Sequence, residues 1–168
     1  MTEKGKILVG ENDGHYLIRM TGDVRVTLCT SLNQYINSIF TKPGVESVLI
    51  DMRDIVGLDS TTLGLLAKLA LACAQNYGLK PKLFCGNEGV LKTIEVMQLD
   101  EYFRVIRSRD IEDIAVAELP CDPDEQRARE DVLEAHRLLI ELNPRCEPEF
   151  IDLIRYLEDQ VPVTVGAA

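Results

Sequence analysis

The sequence predicts an α/β domain, a mixed β-sheet with helices packed on it, followed by a C-terminal α-helical hairpin. Short β-prone runs alternate with helical patterns from residue 44 onward, after an opening hairpin. Of the 168 residues, 46% are apolar, which is enough to bury the core of one ordinary domain and carry an appendage. Charge divides the chain: residues 1–108 hold twelve acids and twelve bases, whereas residues 109–168 hold sixteen acids and six bases. The whole net charge of −10 therefore lies in the last third. We place the domain at 1–119 and the acidic helical extension at 120–168, divided at the Pro/Asp stretch PCDPDE.

In chain order, residues 6–10 (KILVG) and 15–21 (HYLIRMT) are β-prone, and ENDG between them supplies turn chemistry, so they form a hairpin. From Val26 to Phe40, Leu28, Leu32, Tyr35, Ile36 and Ile39 recur at spacings of three and four, one apolar helical stripe that Lys42-Pro43-Gly44 stops. In VESVLIDM (45–52), Val48, Leu49 and Ile50 make the run expected of a central strand buried on both faces. After a short loop a helix runs from Ser60 to Tyr77 and ends at Gly78, the residue type that best tolerates the left-handed C′ position. PKLFCG (81–86) reads as a strand, GVLKTIEVMQL (89–99) as a helix and FRVI (103–106) as a last short strand.

The tail differs in kind. Residues 125–143 place Val132, Ala135, Leu139 and Leu142 on one side of a charged helix, and 147–159 place Phe150, Ile151, Ile154 and Leu157 likewise. Joined by NPRCEP, these two helices form a helical hairpin. Each buries little alone, so the hairpin either packs on the domain or widens a partner interface, where its charge attracts a basic surface.

Composition excludes several function classes. A polyanion is repelled by the acidic third, which argues against nucleic-acid binding. The start lacks the basic and apolar regions of a signal peptide, and the longest apolar run, Leu63–Ala74, is interrupted by Lys68 and too short for a bilayer. The expectation is a soluble, cytoplasmic protein without a membrane anchor. Cys29, Cys73, Cys85, Cys121 and Cys146 form an odd, widely spaced set without a C-x-x-C pair, which fits a reducing compartment. His15 and His136 stand alone, so no metal site and no cofactor is expected. His136 reads as part of a solvated helix face, and Cys73 and Cys85 as small core residues. Gly86-Asn87-Glu88-Gly89 opens a helix but lacks both the Lys-Ser/Thr of a P-loop and the spacing of a dinucleotide fingerprint.

The chemistry-bearing stretch is GLDSTTLG, residues 57–64. Asp59 is a suitable N-cap, and Ser60 and Thr61 then occupy the first turn, at the positive end of the helix dipole. A phosphate there meets free backbone amides and adds a charge of about −1.5 to −2 to an exposed rim. Read locally, the same residues are only a cap, and Asp23, at the end of the hairpin, either shapes a partner face or completes a turn.

Three features in order, Met20-Thr21-Gly22-Asp23 before the first helix, the strand Val48-Leu49-Ile50-Asp51, and Leu58-Asp59-Ser60-Thr61-Thr62-Leu63-Gly64, resemble the STAS family, the bacterial anti-sigma factor antagonists. The resemblance covers about residues 5–110. It implies a STAS-like mixed sheet and a transcription-regulating partner switch. An anti-sigma factor or switch kinase binds the unphosphorylated form, phosphorylation of Ser60 releases it, and a PP2C-type phosphatase resets it. Thr61 is the second candidate acceptor. The implied partner face comprises Asp23, Arg25, Asp59, Ser60, Thr61, Thr62 and Leu63. Arg25 stands where the family often has an acid, and Thr62 where it has a glycine. These two departures keep a second reading open, a STAS scaffold or transporter-associated subunit that is never phosphorylated. A hydrolytic enzyme with Ser60 as nucleophile ranks last, because neither histidine is placed by sequence to act as its base and G-x-S-x-G is absent. Oligomeric state and the partners' identities are not legible.

Overall fold

The computed structural model describes residues 3–107 and 114–160. Strands β1 (Lys6–Asn12) and β2 (His15–Val24) pair antiparallel, from Lys6 opposite Thr21 to Asn12 opposite His15. Their two-residue turn, Asp13-Gly14, has φ of 51° and 83°, the double left-handed conformation that matches strand twist and that Asp-Gly adopts readily. A 3₁₀ turn at Val26–Leu28 leads into α1 (Cys29–Ile39). β3 (Ser47–Met52) then lies parallel to β2.

The loop expected after β3 contains a further strand, β4 (Ile55–Leu58). β2 is ten residues long and outruns β3, whose last pair with it is Arg19–Asp51. β4 takes up the remaining length, Gly22 to Val24, across a register shift. Four residues, IVGL, are too few for a period to show in sequence. The Asp51 carboxylate beside this turn is fully buried, and it accepts from Arg19 Nε at 3.0 Å and from Arg53 N at 3.1 Å.

Helix α2 (Ser60–Tyr77), strand β5 (Lys82–Cys85), helix α3 (Glu88–Val96) and strand β6 (Arg104–Val105) follow. β7 (Ala117–Glu118), not foreseen, pairs antiparallel with β1. The sheet runs β6-β5-β3-β2-β1-β7, with β2, β3, β5 and β6 mutually parallel. α3 stops short of its expected end, because Gln98 takes φ 60° and Leu99 turns inward.

The tail forms α4 (Glu125–Leu142) and α5 (Glu147–Gln160). It is docked on the domain: Leu133, Leu139, Phe150, Ile154 and Leu157 are buried in one core with Leu32, Ile50, Leu65 and Leu69. α2 and α4 approach closely at Gly64, where a Cβ would lie 2.6 Å from both the Cβ and the carbonyl oxygen of Ala135. A polar seam flanks that contact. Asn33 Nδ2 on α1 donates to Asp131 Oδ1 at 2.7 Å, while Lys68 Nζ on α2 donates to Asn33 Oδ1 at 2.8 Å and pairs with Glu134 at 2.6 Å. The linker is held too, with Ser31 Oγ donating to the Pro120 carbonyl and Cys121 Sγ lying 3.0 Å from the Thr27 carbonyl.

Candidate functional site

β4 delivers the chain to the sheet rim, and Asp59 ends it in an extended conformation (φ −96°, ψ 174°). One carboxylate oxygen, Oδ1, accepts from Thr62 N at 3.0 Å and from Thr62 Oγ1 at 2.9 Å. This is the expected cap, and it fixes the first turn of α2. The hydroxyl replacing the family's glycine is thus not idle, because Thr62 braces the cap from within the core. It is fully buried, and its Oγ1 lies 3.6 Å from Cys29 Sγ. Burial pushes that thiol up to about 12, so Cys29 is an unreactive core group. Cys73 is likewise buried and pushed up to about 11, as expected of a packing residue.

The other candidate residues divide by exposure. Ser60 and Asp59 are half-buried, whereas Thr61 is 4% exposed and Leu63 3%, and Leu63 belongs to the core. Asp23 is half-buried beside Gly57, its pairing residue on β4, and Asp23 Oδ2 accepts from Arg25 Nε at 2.9 Å. The Arg25 guanidinium is exposed and held above its ordinary range by the hydrogen bond and charge of Asp23, with Asp59 adding to the effect. Arg25 thus balances the two acids of this rim rather than adding a third.

One residue contradicts its sequence reading. His136 is not on a solvated face: it is 1% exposed, packed edge-on against Phe150 with ring centroids 4.9 Å apart. Its Nε2 lies 2.7 Å from Ser60 Oγ, and its Nδ1 lies 2.7 Å from the Val132 carbonyl. A carbonyl only accepts, so Nδ1 carries a proton, and in the neutral ring the Ser60 hydroxyl donates to Nε2. The signal was present in part, since His136 stands four residues after Val132 and three before Leu139, on the apolar stripe itself. What the stripe could not give was the partner, 76 residues away.

The arrangement is a Ser–His contact without the rest of a hydrolase. Among the described residues no carboxylate bonds the imidazole, whose second nitrogen is committed to its own helix backbone. The ring is enclosed by Ser60, Phe150 and α4, out of reach of a substrate. Among the described residues no group of three His, Cys, Asp or Glu side chains is arranged to hold a metal, and no helix is long and apolar enough to cross a membrane.

The STAS domain family model matches residues 6–111, which includes every candidate above except His136. Solved structures of anti-sigma factor antagonists share the fold. An anti-sigma factor antagonist from Mycobacterium paratuberculosis superposes with a TM-score of 0.54 at 20% identity, covering 64% of this chain and 89% of its own. The anti-sigma factor antagonist SpoIIAA in its unphosphorylated form gives 0.52 at 13% identity, covering 66% and 90%. No protein of curated function matches the sequence. The expected STAS-like mixed sheet with a C-terminal helical extension is the fold observed, and α4 and α5 lie outside the matched segment.

Proposed function

Because the chain belongs to the STAS domain family, we propose that it is an anti-sigma factor antagonist working by partner switching. It is a regulatory binding module rather than an enzyme. In its unphosphorylated form it captures an anti-sigma factor or switch kinase. Phosphorylation of Ser60 breaks that complex, and a PP2C-type phosphatase restores it. The setting is the bacterial cytoplasm.

The observation that carries this reading is the position of Ser60. It is the first residue of an Asp59-capped helix at the sheet rim, and the only half-buried hydroxyl of the Ser60-Thr61-Thr62 run. Buried Thr61 is a poor second acceptor, since a phosphate there would have to enter a site closed to solvent. At the helix start a phosphate adds charge without breaking the helix, so the partner face becomes more negative while the fold persists. Asp23, Arg25 and Asp59 form the charged border of that face, and Thr62 and Leu63 shape it from beneath.

The test is intact-mass and peptide mass spectrometry on protein from its native host, with partner pull-downs using wild type, Ser60→Ala and Ser60→Asp. A single phosphate on Ser60, with Ala retaining and Asp losing one partner, is the expected result. No phosphate under any growth condition, with all three forms binding alike, would make the domain a constitutive scaffold.

A further inference from the structure

We propose that the hairpin α4–α5 is a built-in cover for Ser60, and that docking of this tail and phosphorylation of Ser60 exclude one another. The inference rests on Ser60 being the acceptor named above, and adds the device that governs access to it. The cover lies outside the family match at 6–111, so it belongs to this chain's own extension.

Phosphorylation forms an Oγ–P bond and breaks the bond from the γ-phosphorus of a nucleoside triphosphate to its bridging oxygen. The bridging oxygen leaves with the nucleoside diphosphate, and the hydroxyl proton passes to a base of the kinase. That proton is the one Ser60 donates to His136 Nε2 at 2.7 Å. Afterwards Ser60 has no hydroxyl proton to donate, inside a contact where His136 is 1% exposed and backed by Phe150. The phosphoryl oxygens need volume that the imidazole fills. The lost hydroxyl donor and the steric conflict act in one direction.

The dock joins buried apolar contact to two polar pairs, the buried Asn33–Asp131 bond and the solvent-reached Lys68–Glu134 pair. Coupling is reciprocal: whatever factor phosphate takes from docking, docking takes from the phosphorylated state. A partner that needs the start of α2 must displace the same helix, so the tail also competes with that partner.

The test is hydrogen–deuterium exchange on the full chain with phosphoserine placed at position 60 during translation, which requires no kinase. The unmodified chain is the docked reference. Ala135→Leu is the released one, because its side chain meets the Gly64 backbone where no space exists. The expected result is exchange across α4 and α5 at least about tenfold faster than in the unmodified chain, equivalent to about 1.4 kcal/mol. Exchange in β2 and β3 stays unchanged. Should those strands also open, Ser60→Asp in the same full chain carries the comparison. Exchange in α4 and α5 that is unchanged or slower overturns the cover and leaves the acceptor assignment standing. Absence of phosphate on Ser60 in cells would remove the acceptor instead, whatever the exchange result.

Discussion

Replacing Gly64 with alanine tests the packing on which the tail depends. In an exposed helix the change favours folding by up to about 1 kcal/mol, because alanine loses less backbone entropy and is the better helix former. Here the sign reverses. The added Cβ would lie 2.6 Å from the Cβ and carbonyl oxygen of Ala135, against about 3.5–4.0 Å for an ordinary carbon contact. α4 must therefore retreat by roughly 1 Å, at an overpacking cost of about 1–3 kcal/mol. The same retreat carries His136, the next residue of α4, away from Ser60, and takes a 2.7 Å contact beyond hydrogen-bonding range. In exchange experiments on α4 peptides the loss reads as about 5- to 150-fold faster opening. Ala135→Gly in the Gly64→Ala background restores only part of it, since the Ala135 carbonyl is as close as its methyl. A folded Gly64→Ala protein whose α4 is as protected as wild type, or whose unfolding midpoint rises, would refute the close approach and with it the seating of His136 on Ser60.

Two further outcomes follow from single side chains. Asp59→Ala removes the acceptor for Thr62 N and Thr62 Oγ1 and should lower stability by about 1 kcal/mol in denaturant melts, with Asp59→Asn recovering most of it; an unchanged midpoint would mean the cap contributes nothing. Burial in the seam raises the Asp131 carboxyl above its ordinary value, with the Asn33 hydrogen bond opposing that rise. A raised carboxyl holds its proton more tightly folded than unfolded, so its contribution is present in full below the unfolded value near 3.8 and is lost as pH climbs through the folded one. Asp131→Asn, which still accepts from Asn33, should therefore gain stability relative to wild type as pH rises above about 4, and parallel pH profiles would discount the seam.

Much of the fold was legible because its signals are local. The hairpin turn follows from Asp13-Gly14, and the α2 boundaries from Asp59 and Gly78 at φ 62°. The two tail helices follow from spacing, and they end within a residue of where periodicity put them. β4 and β7 were missed because strands of four and two residues owe their existence to a neighbour with unpaired length, not to a pattern of their own.

The sequence by itself determined the α/β class, the capped helix start and the order in which Asp23, Asp59 and Ser60 reach one rim, since periodicity, turn chemistry and caps act over a few residues. Only the tertiary structure decided what lies against Ser60. The apolar stripe of α4 required some surface to cover it, but burial is non-directional and did not specify which. Backbone contact at Gly64, the Asn33–Asp131 bond and the Lys68–Glu134 pair fix that choice between distant segments. A histidine that looked solvated in its own helix thereby becomes the acceptor for the Ser60 hydroxyl.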